Sequence, residues 1–205
     1  MCKLYYSNFK RSKSLCVAFL LSLSLLVGAQ DDTPSSIVKV DSTWSTEIIP
    51  FPVDWLPKLT IKGFEELRFA PNWSDPKHQE FWTLVMAWQL ETETILPMKE
   101  LQFNLNHYFT ELMKPNHWAT EFPDPILQLQ DLEATKSGIN FKGRLTFFDG
   151  FHTGKVISVN ILGNQTLCDA ANTSVIVFRI SPQDYREAIW KELNAVVVND
   201  KDCLD

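Results

Sequence analysis

The stretch Ile61–Glu91, IKGFEELRFAPNWSDPKHQEFWTLVMAWQLE, carries three of the chain's seven tryptophans and two apolar runs separated by a polar turn. From Trp82 onward the alternation is strict: Trp82, Leu84, Met86, Trp88 and Leu90 share one side and Thr83, Val85, Ala87, Gln89 and Glu91 the other. Five successive matches at period two predict a half-buried strand. Leu59–Ala70 reads as its partner, with Ile61, Leu67 and Phe69 on one face and Phe64 on the other. Gly63 marks a bulge or bend in it. Between the two, PNWSDP supplies turn chemistry: Asn and Asp bond their own backbone, and proline brackets the segment. The pair forms an antiparallel unit at the centre of the fold.

Outward from this unit, the segment IVKVDSTWSTEIIPFPVDWLP is extended, because Pro50, Pro52 and Pro57 exclude a helix. Its Ile48, Ile49, Phe51, Val53, Trp55 and Leu56 pack it down as a strap on the domain. Met98, Leu101, Leu105, Tyr108, Phe109, Leu112 and Met113 recur at three- and four-residue steps between Pro97 and Pro115, which predicts a helix over 97–114. His107 lies opposite that stripe and is expected to face solvent. The segment after Pro115 is long and poorly periodic and reads as a loop carrying Trp118 and Phe122. A meander follows: Ile139, Phe141, Leu145 and Phe147 alternate, Asp149–Gly150 signals a turn, and Lys155–Leu162 and Thr173–Ile180 are strands. Ser181 then caps a final helix, with Pro182 at its first position and Tyr185, Ala188, Ile189, Leu193 and Val196 as its stripe. The expected class is α+β: a mostly antiparallel sheet of five to six strands packed by two main helices, in β-β-α-β-β-β-α order.

The first residues read as an export signal. Lys3, Lys10, Arg11 and Lys13 precede the apolar run Leu15–Ala29, and Val27 and Ala29 give a small-residue cleavage pattern. That run is shorter than the roughly 20 residues of a membrane span. The expected organisation is a cleaved signal peptide over 1–29, an extended segment over 30–58 and one α+β domain over 59–205. Localisation is then secreted or periplasmic, without stable membrane insertion. Four of the 19 basic residues fall in the signal and none of the 25 acidic ones does, leaving 15 against 25 and a net charge of −10. An acidic surface repels phosphate backbones, so nucleic acid is excluded as a partner. Cys168 and Cys203 remain in the exported chain and are expected to form one disulfide. Closing that loop is worth roughly 3–4 kcal/mol on a chain-entropy argument.

Catalytic signatures are absent: no GxSxG, HExxH, calcium-loop or GxGxxG pattern occurs. Gly150-Phe-His-Thr-Gly154-Lys155 has three residues between its glycines where a phosphate loop needs four, and a strand follows it. His78, His107, His117 and His152 are scattered and lack metal-ligand spacing; a cluster of His117, His152 and Glu121 needs the fold to assemble it. Glu65 and Glu66 are adjacent and point to opposite strand faces, so they are not a paired acid and base; one of them pairs with Arg68. No catalytic residue, metal or cofactor is assigned. The candidate binding residues are aromatic and polar groups on turns: Trp73, Asp75, His78, His117, Trp118, Phe151 and His152, rimmed by Asp75, Glu121 and Asp124. Sequons at Asn72, Asn164 and Asn172 lie in expected loops.

At EELRFAPNWSDPKHQEFW, MAWQLE, RLTFFDGFHTGK and SPQDYREAIWKEL the chain resembles a set of exported bacterial proteins of unassigned function. In element order it is also similar to the PsbP/Mog1-type α/β/α sandwich. Neither resemblance implies catalytic residues. The function expected from the sequence is a non-catalytic exported domain that binds a protein, glycan or small molecule through loop aromatics. The alternatives are a small extracytoplasmic hydrolase, whose His and carboxylate residues converge in the fold, and a structural envelope component.

Overall fold

A computed structural model of the chain describes residues 34–114, 122–134, 138–168 and 171–198. These fall within one compact unit, Thr33–Asp205. The proposed signal, His117, Trp118, Glu121 and Cys203 lie outside the described residues.

The strand and helix order is β1 (Val38–Lys39), β2 (Ser45–Phe51), β3 (Gly63–Phe69), β4 (Leu84–Glu91), α1 (Met98–Met113), β5 (Ile126–Ala134), β6 (Gly138–Asp149), β7 (Lys155–Cys168), β8 (Thr173–Ser181), α2 (Ile189–Ala195) and β9 (Val197–Val198). Seven strands form one sheet in the order β2-β3-β4-β8-β7-β6-β5, and β1 pairs with β9 in a second, two-stranded sheet. Every pairing is antiparallel. The class is α+β, with a larger sheet than the sequence suggested. Two meanders, β2-β3-β4 and β5-β6-β7-β8, are joined where β4 lies beside β8.

The period-two reading of 82–91 holds for β4, but the expectation of a half-buried strand does not. Leu84, Met86, Trp88 and Leu90 pack toward α1 with Ile176, Phe178 and Ile180 of β8. Val85 and Ala87 pack on the opposite side with Val175, Val177, Ile189, Trp190 and Leu193. Both sheet faces are therefore covered at the β4–β8 junction, and the small residues Val85 and Ala87 suit the side that α2 covers. Trp82 itself stands outside the strand in a left-handed backbone conformation, φ 49°.

Gly63 opens β3 with φ 127°. A Cβ there would lie 1.9 Å from the carbonyl oxygen of Gln89 on β4, so the irregularity is a close backbone approach that only glycine permits. The Pro-rich strap contributes β2, the edge strand beside β3, whose register places Glu47 opposite Leu67 and Ile49 opposite Glu65.

Helix α1 follows the expected stripe, burying Leu101, Leu105, Tyr108, Phe109 and Met113 against the sheet. His107 is not solvent-facing as expected: its side chain is 14% exposed, beside Glu111 and stacked on Phe103. The segment read as a long loop contains β5, an edge strand paired to β6 from Ile126↔Thr146 onward. Its inward positions are sparse because only one face is covered and the strand lies at the sheet edge, which weakened the alternation signal. The last helix also starts later than its cap chemistry suggested. Residues 182–188 form turns in which Asp184 accepts the Arg186 amide, and α2 begins at Ile189 after a non-bonding cap at Ala188. Tyr185 is spent on the turn, its hydroxyl donating toward the carbonyls of Gly143 and Ile161. Arg179 closes the far end of α2, donating to the Leu193 and Val196 carbonyls, where a cation also complements the helix dipole. Asn164 lies within β7 and accepts from Arg179, so that sequon is not in a loop.

Candidate functional site

The cleft that best suits a ligand lies between the α1-facing side of β2–β3–β4 and helix α1. It encloses about 520 Å³ and is lined by Ser45, Thr46, Glu47, Ile49, Trp55, Leu67, Phe69, Trp73, Trp82, Leu84, Tyr108, Phe109, Leu112 and Phe151. The strand period delivers the sheet side: Ser45, Glu47 and Ile49 stand opposite Phe69, Leu67 and Glu65, all on one face. The helix period delivers Tyr108, Phe109 and Leu112. Two turns supply the remainder, Trp73 from the β3–β4 connection and Phe151 from the β6–β7 connection.

Each turn is held by a carboxylate. Glu80 accepts the backbone and side-chain nitrogens of Asn72, both at 2.9 Å, which fixes the approach to Trp73. Asp149, fully buried, accepts from the amides of Phe151, His152 and Thr153 and from the Thr153 hydroxyl, at 2.7–3.1 Å. The DG pair thus starts a five-residue connection, closed by Gly154 at φ 61°, and not a two-residue hairpin. Trp73 packs on Phe69 at 4.5 Å between ring centres and meets Trp82 edge-on at 5.9 Å. Trp55, from the strap, meets Tyr108 edge-on at 5.4 Å and is 38% exposed.

Of the seven candidate residues, the five that are described separate in the structure. Trp73 and Phe151 line the cleft. His152 stands just behind them, in ring contact with Trp73, Phe81 and Trp82. Burial pushes its pKa down, partly opposed by the Asp149 charge, and Nε2 has no hydrogen-bond partner among the described residues. Asp75 and His78 build the turn: Asp75 accepts the Lys77 amide and His78 Nδ1 the Glu80 amide. The acid on the cleft wall is Glu47; of the expected rim of Asp75, Glu121 and Asp124, the described Asp75 and Asp124 do not line it. No group of three or more metal-ligating side chains occurs among the described residues.

Trp55, Tyr108 and Glu47, which the sequence offered only as strap, helix stripe or edge positions, line the cleft. Glu65 is completely buried beneath the cleft, and its carboxylate accepts from Tyr108 Oη and Trp88 Nε1, each at 2.7 Å. No cation faces it. Burial, with a contribution from Glu47, raises its pKa to about 7 against the two hydrogen bonds that lower it. Burial first, then the Glu65 charge, raises Tyr108 well above its ordinary value. The neighbouring Glu66, equally buried on the opposite face, is differently placed. It is paired with Arg68 Nε at 2.7 Å and accepts from Ser36 Oγ and the amides of Ile37 and Val38. The expected Arg68 pairing is thus made by Glu66, which ties the N-terminal segment to β3. A signal for Glu65 was present in the sequence, since it falls in phase with Leu67 and Phe69 and so had to point inward.

No family model, no curated protein and no solved structure matches this chain.

Proposed function

We propose that this is an exported, non-catalytic binding protein whose cleft takes a small molecule with a largely apolar body. The observation that carries this reading is the aromatic cleft of about 520 Å³, a volume within the range of small-molecule sites. Its rings come from strap, strand, helix and two turns, and stacking on them costs a ligand little entropy. Export and a Cys168–Cys203 disulfide belong to the same reading. The disulfide reading is supported by the burial of Cys168 at the end of β7, and reduction of the exported protein should add two hydrogens to its mass.

The test is titration with the neutral fluorophore N-phenyl-1-naphthylamine. Wild type should bind it saturably, and Trp55→Ala with Trp73→Ala should weaken binding about tenfold or more while the circular dichroism is kept. Saturable binding unchanged in that double variant, or no binding by wild type, refutes the cleft as the site.

A further inference from the structure

The cleft has a one-sided charge. On its sheet wall the positions that face inward carry two carboxylates, Glu47 and Glu65, whereas the cation of these strands, Arg68, lies on the opposite face and is held there by Glu66. No Lys, Arg or His is among the lining residues. On helix α1, Glu111 is paired with Lys114 at 2.7 Å, within the field of Lys58. Glu47 has no ion-pair partner among the described residues.

Glu47 shares the cleft lining with the rings of Trp55, Trp73, Phe69 and Tyr108. Aromatic rings carry negative faces that attract an ammonium group and repel an anion, and the attraction strengthens as the cation leaves water. We propose that the cleft selects an organic cation, an amine or quaternary ammonium group on an apolar body, with Glu47 as its counter-charge and the Trp55, Trp73 and Tyr108 rings around it. This rests on the cleft reading above and narrows its ligand class. Among the described residues the wall bears no donor cation that would recognise a carboxylate or phosphate ligand. A neutral ligand would make no use of the Glu47 charge.

Three probes with one ring system separate charge from shape: 1-naphthylmethylammonium, 1-naphthylmethanol and 1-naphthylacetate, titrated calorimetrically against the full chain at near-neutral pH and low salt. The cation should bind about tenfold tighter than the alcohol, and the acetate weakest. Glu47→Gln should cut the cation's advantage about threefold or more and leave the alcohol unchanged; Glu47 is exposed, so the variant should keep wild-type thermal stability. Added salt should narrow the same gap. Binding of all three probes within twofold of one another overturns the cation class while the N-phenyl-1-naphthylamine result still stands. An equal loss of all three in Glu47→Gln overturns the role of the charge. Failure of the neutral fluorophore to bind removes the cleft reading itself.

Discussion

Glu65→Gln isolates what the buried carboxyl does to the fold. In the folded chain the group titrates at about 7 against an ordinary 4.5. Below 4.5 both folded and unfolded states carry the proton, and the site is neutral in each. Between 4.5 and about 7 the unfolded chain has released it and the folded chain has not, so stability falls as pH rises. Above about 7 the penalty is complete and amounts to about 3 kcal/mol, at roughly 1.4 kcal/mol for each tenfold change in proton affinity. Glutamine removes the charge and keeps the contacts: its oxygen can accept from Trp88 Nε1 and its amide can donate to the Tyr108 oxygen.

The two proteins should therefore be close in stability near pH 4.5 and diverge as pH rises, the variant becoming the more stable by about 2–3 kcal/mol near pH 8. In melting temperature that is a gap of about 5–10 °C for a chain of this size. Urea unfolding followed by tryptophan fluorescence at a series of pH values reads it directly, and taking the difference between the proteins cancels every other titrating group. A difference constant to within about 0.5 kcal/mol across the window, or one that grows as pH falls, refutes the assignment of an uncompensated carboxyl under the cleft.

Gly63→Ala should cost more than about 3 kcal/mol, because the new Cβ would lie 1.9 Å from the Gln89 carbonyl and φ is 127°; a loss under about 1 kcal/mol in urea unfolding would show that β3 and β4 can part there at little cost. Asp149→Ala strips four hydrogen bonds from the 150–154 connection and should destabilise by about 2–4 kcal/mol. It should also weaken fluorophore binding, because Phe151 is held over the cleft by that turn. Asp149→Asn, which keeps an acceptor, should recover part of both losses, and an intact affinity in the alanine variant would separate Phe151 from the site.

What the sequence made legible was whatever a single element determines by its own period. Trp88 and Met86 were readable as core because β4 alternates, and Leu101 to Met113 because α1 repeats. β5 was not legible, since an edge strand covered on one face shows half a pattern, and Asp131/Glu133 interrupt its register with β6. The start of α2 was misplaced because Ser181 and Pro182 mimic a cap, while Asp184 and Tyr185 are engaged in turns that precede the helix. The cleft was only half visible. Trp73 and Phe151 stood out as aromatics on turns, but Trp55, Tyr108 and Glu47 meet only through tertiary contact between strap, helix and edge strand, which no local period encodes.

The adjacent pair Glu65–Glu66 shows how much depends on that tertiary level. Strand alternation sends the two identical side chains to opposite faces, and each face then sets its chemistry. Glu66 meets a guanidinium and two backbone amides, so its charge fastens the N-terminal segment to the sheet. Glu65 meets two neutral donors and no cation among the described residues, although a glutamine there could bond both Trp88 and Tyr108 without desolvating a charge. That carboxyl is held at this cost beneath Tyr108, and a second carboxylate, Glu47, stands on the same strand face. Sites that break a local rule of stability without local compensation are where function is to be sought. Here the break lies one residue from the cleft: Glu65 reaches it only through Tyr108, which lines the wall and donates to the buried carboxylate.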